Sequence, residues 1–381
     1  MQKLARNKGD QSKAISTIGV ILIITIVAFA SFSVVFLEKD SLSSGNTLRN
    51  TSSTTPAVLT SQSTNVTTSS TAYDARVPNG NGYFVPAVLV NADTSTFESL
   101  VDKLVSAKVV YLFFNLPNIE PSGYIDPALL NQTPPLIARF KSSAPAHQFI
   151  YVGWTGTQTE TKPLLNDYNS DMIGLTIREL NQSGFSALIF DPEPVPNESV
   201  QFLNLLDTIR SEINSFSPGM LLGEAAMNII PSATVGENWS WDQGYYQAVT
   251  SRLDFVLPML YETGFNTSQS YAAWVEDRIA FNSNYSRAPV IYSLPDWYEN
   301  TTWHHPWAEN LATAILAFRA YMAVNSSVLP PSNMIGVAIY SLNGTFVGNG
   351  NPIESVETTN SDWMFFENYW SNTSFASMGR P

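Results

Sequence analysis

Two carboxylates stand two residues apart in the run Ile189-Phe190-Asp191-Pro192-Glu193-Pro194. On an extended backbone alternate side chains share a face, so Asp191 and Glu193 point to the same side. Acids this close cannot both ionise freely. One carboxyl is held up in its protonated form, the state a general acid needs near neutral pH. Pro192 and Pro194 fix φ and stiffen the segment. The same residues also fit a rigid acidic loop leading into a helix near Glu198 and complementing its dipole. Residue types alone leave both readings open.

A second run, Pro258-Met259-Leu260-Tyr261-Glu262, ends in a phenol and an acid. A phenol at the rim of a cleft donates a hydrogen bond to developing negative charge, and a half-buried core tyrosine is the competing reading for Tyr261. Other strand-like runs end in Asn115, Trp154, Asp296-Trp297-Tyr298 and Tyr340. Indole and phenol rings stack on the C–H faces of sugars, but they also fill cores. The substrate-binding candidates are therefore Glu262, Trp154, Asp296, Trp297, Tyr340 and Asn115. With no cysteine and three histidines in the chain, neither a thiol nucleophile nor a multi-histidine metal site is expected. His304-His305 reads as a solvated loop. Nothing in the sequence calls for a metal or cofactor.

The elements that must position these residues alternate. Apolar, β-branched or aromatic runs occupy 84–90, 109–115, 148–154, 186–191, 220–226, 255–261, 290–294 and 336–341. Between them lie segments of helical periodicity, among them 97–107, 171–184 (closed by Gly184), 198–213, 271–281 and 309–324. A last helix is expected near 363–369. Eight βα units predict a (β/α)8 TIM barrel, with chemistry at the C-terminal strand ends. A dinucleotide fold would want a Gly-rich turn after the first strand, where Val90-Asn91-Ala92-Asp93 has none.

The chain has 381 residues and a net charge of −13, which disfavours nucleic acid as a partner. Residues 15–37 hold no charge and are long enough to span a bilayer. Lys3, Arg6, Lys8 and Lys13 precede them and place residues 1–14 in the cytoplasm. The run Lys13-Ala14-Ile15-Ser16 also resembles an archaeal pilin-like processing site, with the apolar helix retained as a surface subunit's anchor. Residues 38–76 read as a Ser/Thr-rich linker and residues 77–381 as the extracellular barrel domain, tethered to the cell membrane by a single pass. Twelve Asn-x-Ser/Thr sequons, Asn197 among them, predict glycosylation at several sites.

The pattern resembles the family-18 glycoside hydrolases, chitinase-like (β/α)8 barrels whose fourth strand ends D-x-D-x-E. Gly184-Phe185-Ser186-Ala187-Leu188-Ile189-Phe190-Asp191-Pro192-Glu193 fits that frame. Met259-Leu260-Tyr261-Glu262 is similar to the sixth-strand M-x-Y-D, and Gly336 to Ser341 to an eighth-strand run ending in Trp-Ser, with Tyr340 for Trp. The family's acid four before the glutamate is Ile189 here, and the position seven before is Ser186, so the acid relay is shortened. The resemblance implies a retaining, substrate-assisted hydrolase of glycans with 2-acetamido sugars. Glu193 would be the acid/base, with Asp191 and Tyr261 orienting the acetamido group. A glycan without that group would need a second carboxylate from Glu224, Glu262 or Asp296. The departures at Ile189 and Tyr340 equally fit a non-cleaving carbohydrate-binding protein on the same barrel.

Overall fold

The computed structural model describes residues 76–120, 122–158, 168–226, 228–229, 238, 240–324, 333–341 and 358–372. The barrel strands are β1 (Asn81–Phe84), β2 (Val109–Asn115), β3 (Ile150–Gln158), β4 (Ala187–Glu193), β5 (Leu221–Ala226), β6 (Phe255–Pro258), β7 (Val290–Pro295) and β8 (Met334–Tyr340). All pair in parallel with their sequence neighbours, and β8 returns to β1 to close the barrel. One helix follows each strand: α1 (Thr94–Ser106), α2 (Thr133–Ser143), α3 (Ser170–Gln182), α4 (Val200–Phe216), α5 (Gln243–Thr250), α6 (Ser268–Tyr285), α7 (Leu311–Val324) and α8 (Asn360–Phe366). This is a (β/α)8 barrel.

Strand sequences are apolar on both faces because both are covered. Phe84, Phe113, Val152, Ile189, Phe255 and Leu257 fill the interior. Leu112, Phe114, Leu188, Phe190 and Leu222 meet the helices. Helix α3 shows the outer logic: Ile173, Ile177 and Leu180 recur at helical spacing and are buried, and Asn169 caps the first turn. Gly184, at φ +94°, turns the chain out of it.

The first strand lies earlier than its sequence suggests, at 81–84 and not 84–90. A side chain at Gly82 would place its Cβ 2.5 Å from the Phe113 ring and 2.8 Å from Ala338 Cβ. The crowded interior therefore needs a residue that reads locally as a turn. After Pro86, which has no N–H to give a ladder, residues Ala87–Asn91 wind into a 3-10 turn. Strand β6 also stops short, at Pro258. Only an isolated bridge from Met259 to Ser293 continues it, which leaves Tyr261 and Glu262 on a loop.

The seam between β1 and β8 is tied by side chains as well as backbone. Buried Asn81 donates to the Ala107 carbonyl at 2.8 Å and accepts from Trp370 Nε1 at 3.0 Å. Among the described residues no helix is long and apolar enough to cross a membrane. The apolar run 15–37 and the Ser/Thr-rich segment to residue 75 lie outside the described residues.

Candidate active site

Strand β4 carries its acids at the C-terminal end of the ring. Ala187 and Ile189 point into the apolar interior, and two residues further the same face presents Asp191 and then Glu193. Asp191 is buried, and its Oδ2 accepts a hydrogen bond from the Trp154 indole at 3.0 Å. Its Oδ1 is buried with no partner. Burial pushes the Asp191 carboxyl up to about 7, against the opposing pull of the Trp154 N–H. Glu193 is part-exposed at the strand end. Its carboxyl is raised well above the usual range, first by burial, then by the charges of Asp191 and Glu262.

Tyr261 reaches this mouth from the loop after β6. Its ring stacks on Tyr340 at 4.6 Å and 15°, and meets the edge of Trp297 at 5.4 Å. Burial raises its phenol, with Tyr340, Glu262, Asp191 and Glu193 adding to the shift. The influence of both acids puts Tyr261 in their neighbourhood. Tyr340 ends β8, packs edge-on against Phe84 at 4.6 Å and lies 6.3 Å from Trp154. Asn115 ends β2 in register with Trp154 and is part-exposed. The mouth is thus an aromatic collar around a pair of acids.

Other candidates take different places. Trp154 serves the acid through its N–H and is not a free stacking platform. Trp297 is buried, with the His304 ring stacked on it at 4.2 Å and 26°, so it supports Tyr261 from behind. Glu262 is exposed and adopts a left-handed backbone, φ 56°. The atoms around it and nearby Glu309 still raise its carboxyl, while His304 lowers it. Asp296 is buried just beyond β7 and raised to about 7, mainly by burial. The like charge of Asp362, in the first turn of α8, adds to the rise.

Glu224 alternates with inward-facing Ala225, sharing its face with Leu222 and Ala226 on the helix side of β5. It is buried, and burial followed by the charges of Asp191 and Glu193 raises it.

Two expectations are corrected outright. His304 is not part of a solvated loop: it is 1% exposed and hydrogen-bonded on both ring nitrogens. No sequence signal marked its partner, Glu309. Asn197 is buried and exchanges hydrogen bonds with Asp242 at 2.9 and 3.0 Å, so this sequon has no room for a glycan in the folded chain. Among the described residues no group of acids and histidines could hold a metal ion.

No protein-family model matches the sequence, and no curated protein matches it. Solved structures do. A chitinase from Bacteroides thetaiotaomicron is similar over 78% of this chain and 96% of its own, at TM-score 0.50 and 12% identity. The spore cortex-lytic enzyme SleL of Bacillus megaterium QM B1551 is similar over 77% and 74%, at TM-score 0.49 and 14% identity. An endo-1,4-beta-D-mannanase from Thermotoga petrophila RKU-1 is similar over 77% and 98%, at TM-score 0.47 and 12% identity. At 12% identity the likeness to the chitinase speaks for the barrel fold alone.

Proposed function

We propose that the chain is a retaining, substrate-assisted glycoside hydrolase of glycans that contain 2-acetamido sugars. Glu193 protonates the glycosidic oxygen as the bond to the anomeric carbon breaks. The substrate's own acetamido oxygen attacks that carbon, and Asp191 and Tyr261 orient and stabilise the acetamido group. Glu193, now a carboxylate, takes a proton from the water that opens the intermediate, with net retention. The observation that carries this reading is the raised Glu193 carboxyl at the end of β4, with indole-held Asp191 on the same face and Tyr261 beside them. Similarity in fold to a chitinase is consistent with it. The unpartnered Oδ1 of Asp191 is the oxygen left to accept the acetamido N–H. In the same proposal residues 15–37 anchor the chain in the cell membrane and the barrel works outside.

The test is hydrolysis of N-acetylglucosamine oligomers by the parent and by Glu193→Gln. A fall in kcat of about 10²–10⁴ is expected, and unchanged turnover ends the assignment. One observation favours a second reading. Fully buried Ile189 lies where the resembled family has the relay acid beneath Asp191, which suits a protein that binds glycans without cutting them. Saturable oligomer binding with no turnover, insensitive to Glu193→Gln, would select it.

A further inference from the structure

Behind the mouth lies a buried histidine and carboxyl pair that the proposed chemistry does not use. Glu309, just before α7, is 0% exposed, and His304, in the loop after β7, is 1% exposed. His304 Nδ1 lies 3.2 Å from Glu309 Oε1, and its Nε2 lies 3.1 Å from the Trp297 carbonyl oxygen. Both ring nitrogens face oxygen atoms, so the ring is fixed between Glu309 and the Trp297 backbone.

Glu309 also reaches across to the loop after β6. Its Oε2 accepts from the Thr263 hydroxyl at 2.7 Å and from the Thr263 backbone N–H at 3.1 Å. Thr263 stands two residues from Tyr261, and between them Glu262 holds φ at 56°. A left-handed backbone at a non-glycine residue persists only where its surroundings hold it. A further tie, Gly264 N–H to the Trp303 carbonyl at 2.7 Å, joins the same two loops. The pair therefore grips both sides of the collar: Tyr261 through Thr263, and Trp297 through the stacked His304 ring.

We propose that His304 and Glu309 are positioning residues that clamp the β6 and β7 loops together, holding Tyr261 and Trp297 at the angle the substrate meets. Polar groups buried at a loop junction are costly unless they are hydrogen-bonded, and a fully bonded buried network fixes one geometry. The geometry specified here belongs to the phenol beside Asp191 and Glu193. The catalytic consequence rests on the hydrolase reading, while the clamp itself does not.

The test uses the full chain as parent, Glu309→Gln, Thr263→Val and Thr263→Ser. Backbone amide exchange in residues 259–267 reports the clamp, and exchange in the barrel strands reports global folding. Glu309→Gln and Thr263→Val are expected to speed exchange in 259–267 by about tenfold, the scale of one lost charge-assisted hydrogen bond. The strands stay protected, and Thr263→Ser, which keeps the hydroxyl, keeps the loop protected. If Glu309→Gln fails to fold, Thr263→Val carries the same readout.

On N-acetylglucosamine oligomers, kcat falls by up to about 10²-fold, because a small misplacement of an orienting group is that costly. In a Tyr261→Phe background the further loss from Glu309→Gln shrinks, since both act through one ring. Unchanged loop exchange in both Glu309→Gln and Thr263→Val overturns the clamp. Faster exchange with unchanged kcat, or strictly additive losses with Tyr261→Phe, overturns its positioning role. If the parent cleaves nothing, the hydrolase reading fails and the exchange result still decides the clamp.

Discussion

The lower and upper halves of strand β4 follow one alternation and do opposite things. Below, Ala187 and Ile189 pack against Phe255, Val152 and their neighbours in a dry interior. Above, the same face carries Asp191 and Glu193. The apolar plug is what makes the acids useful. It denies them solvent from beneath, so burial heads the causes that raise both carboxyls. A strand with acids throughout could not fold, and one with none could not transfer a proton.

The sharpest way to break this contrast is to carry the upper chemistry downward. Ile189→Asp places a carboxyl within the apolar interior cluster of Val152, Leu221 and Phe255. It should cost about 3–5 kcal/mol, read as a lower midpoint of urea unfolding. A parental midpoint would mean that the interior beneath Asp191 is wet.

The next effect is a dependence of stability on pH. Asp191 and Asp296 are raised to about 7 in the folded chain, against about 3.9 when unfolded. Between those values the folded state binds more protons than the unfolded one. The stability these two carboxyls contribute is therefore fully present in acid and is lost as pH rises from about 4 to 7. The loss is on the order of 4 kcal/mol for each carboxyl over that span, measured by denaturant unfolding at pH 4.5 and 7.5. Asp191→Asn together with Asp296→Asn should flatten the slope. A protein more stable at pH 7.5 than at 4.5 would contradict the buried placement of both acids.

The smallest effect sharpens the picture at one bond. Trp154→Phe removes the donor to Asp191 Oδ2, costs about 2 kcal/mol, and pushes the Asp191 carboxyl higher still. A shift of its titration upward, followed by carboxyl NMR, is the expected result. No shift would mean that the indole does not set its charge.

The parts of the fold that follow from local pattern were legible. Strand β2 spans 109–115 as its apolar run predicts, and the alternation of Asp191 and Glu193 reads directly from a period of two. What escaped depends on distant neighbours. Nothing local in Asn81-Gly82 announces a strand, because the requirement for glycine comes from Phe113 and Ala338 across the barrel. His304 looks hydrophilic and solvated until Glu309 and the Trp297 carbonyl are brought to it by two loops. The same holds for Trp154 and Trp297, whose sequence positions suggest open sugar platforms. Their rings are instead spent on holding an acid and backing a phenol.

The seam of the ring has a consequence for how the protein is made. Asn81 meets Trp370 across 289 positions of sequence, and β1 has no second neighbour until β8 arrives. A nascent chain emerging in order therefore carries two raw sheet edges for nearly its whole length. Completion waits for the last few dozen residues, and any product truncated ahead of β8 would be left sticky and open to proteolysis.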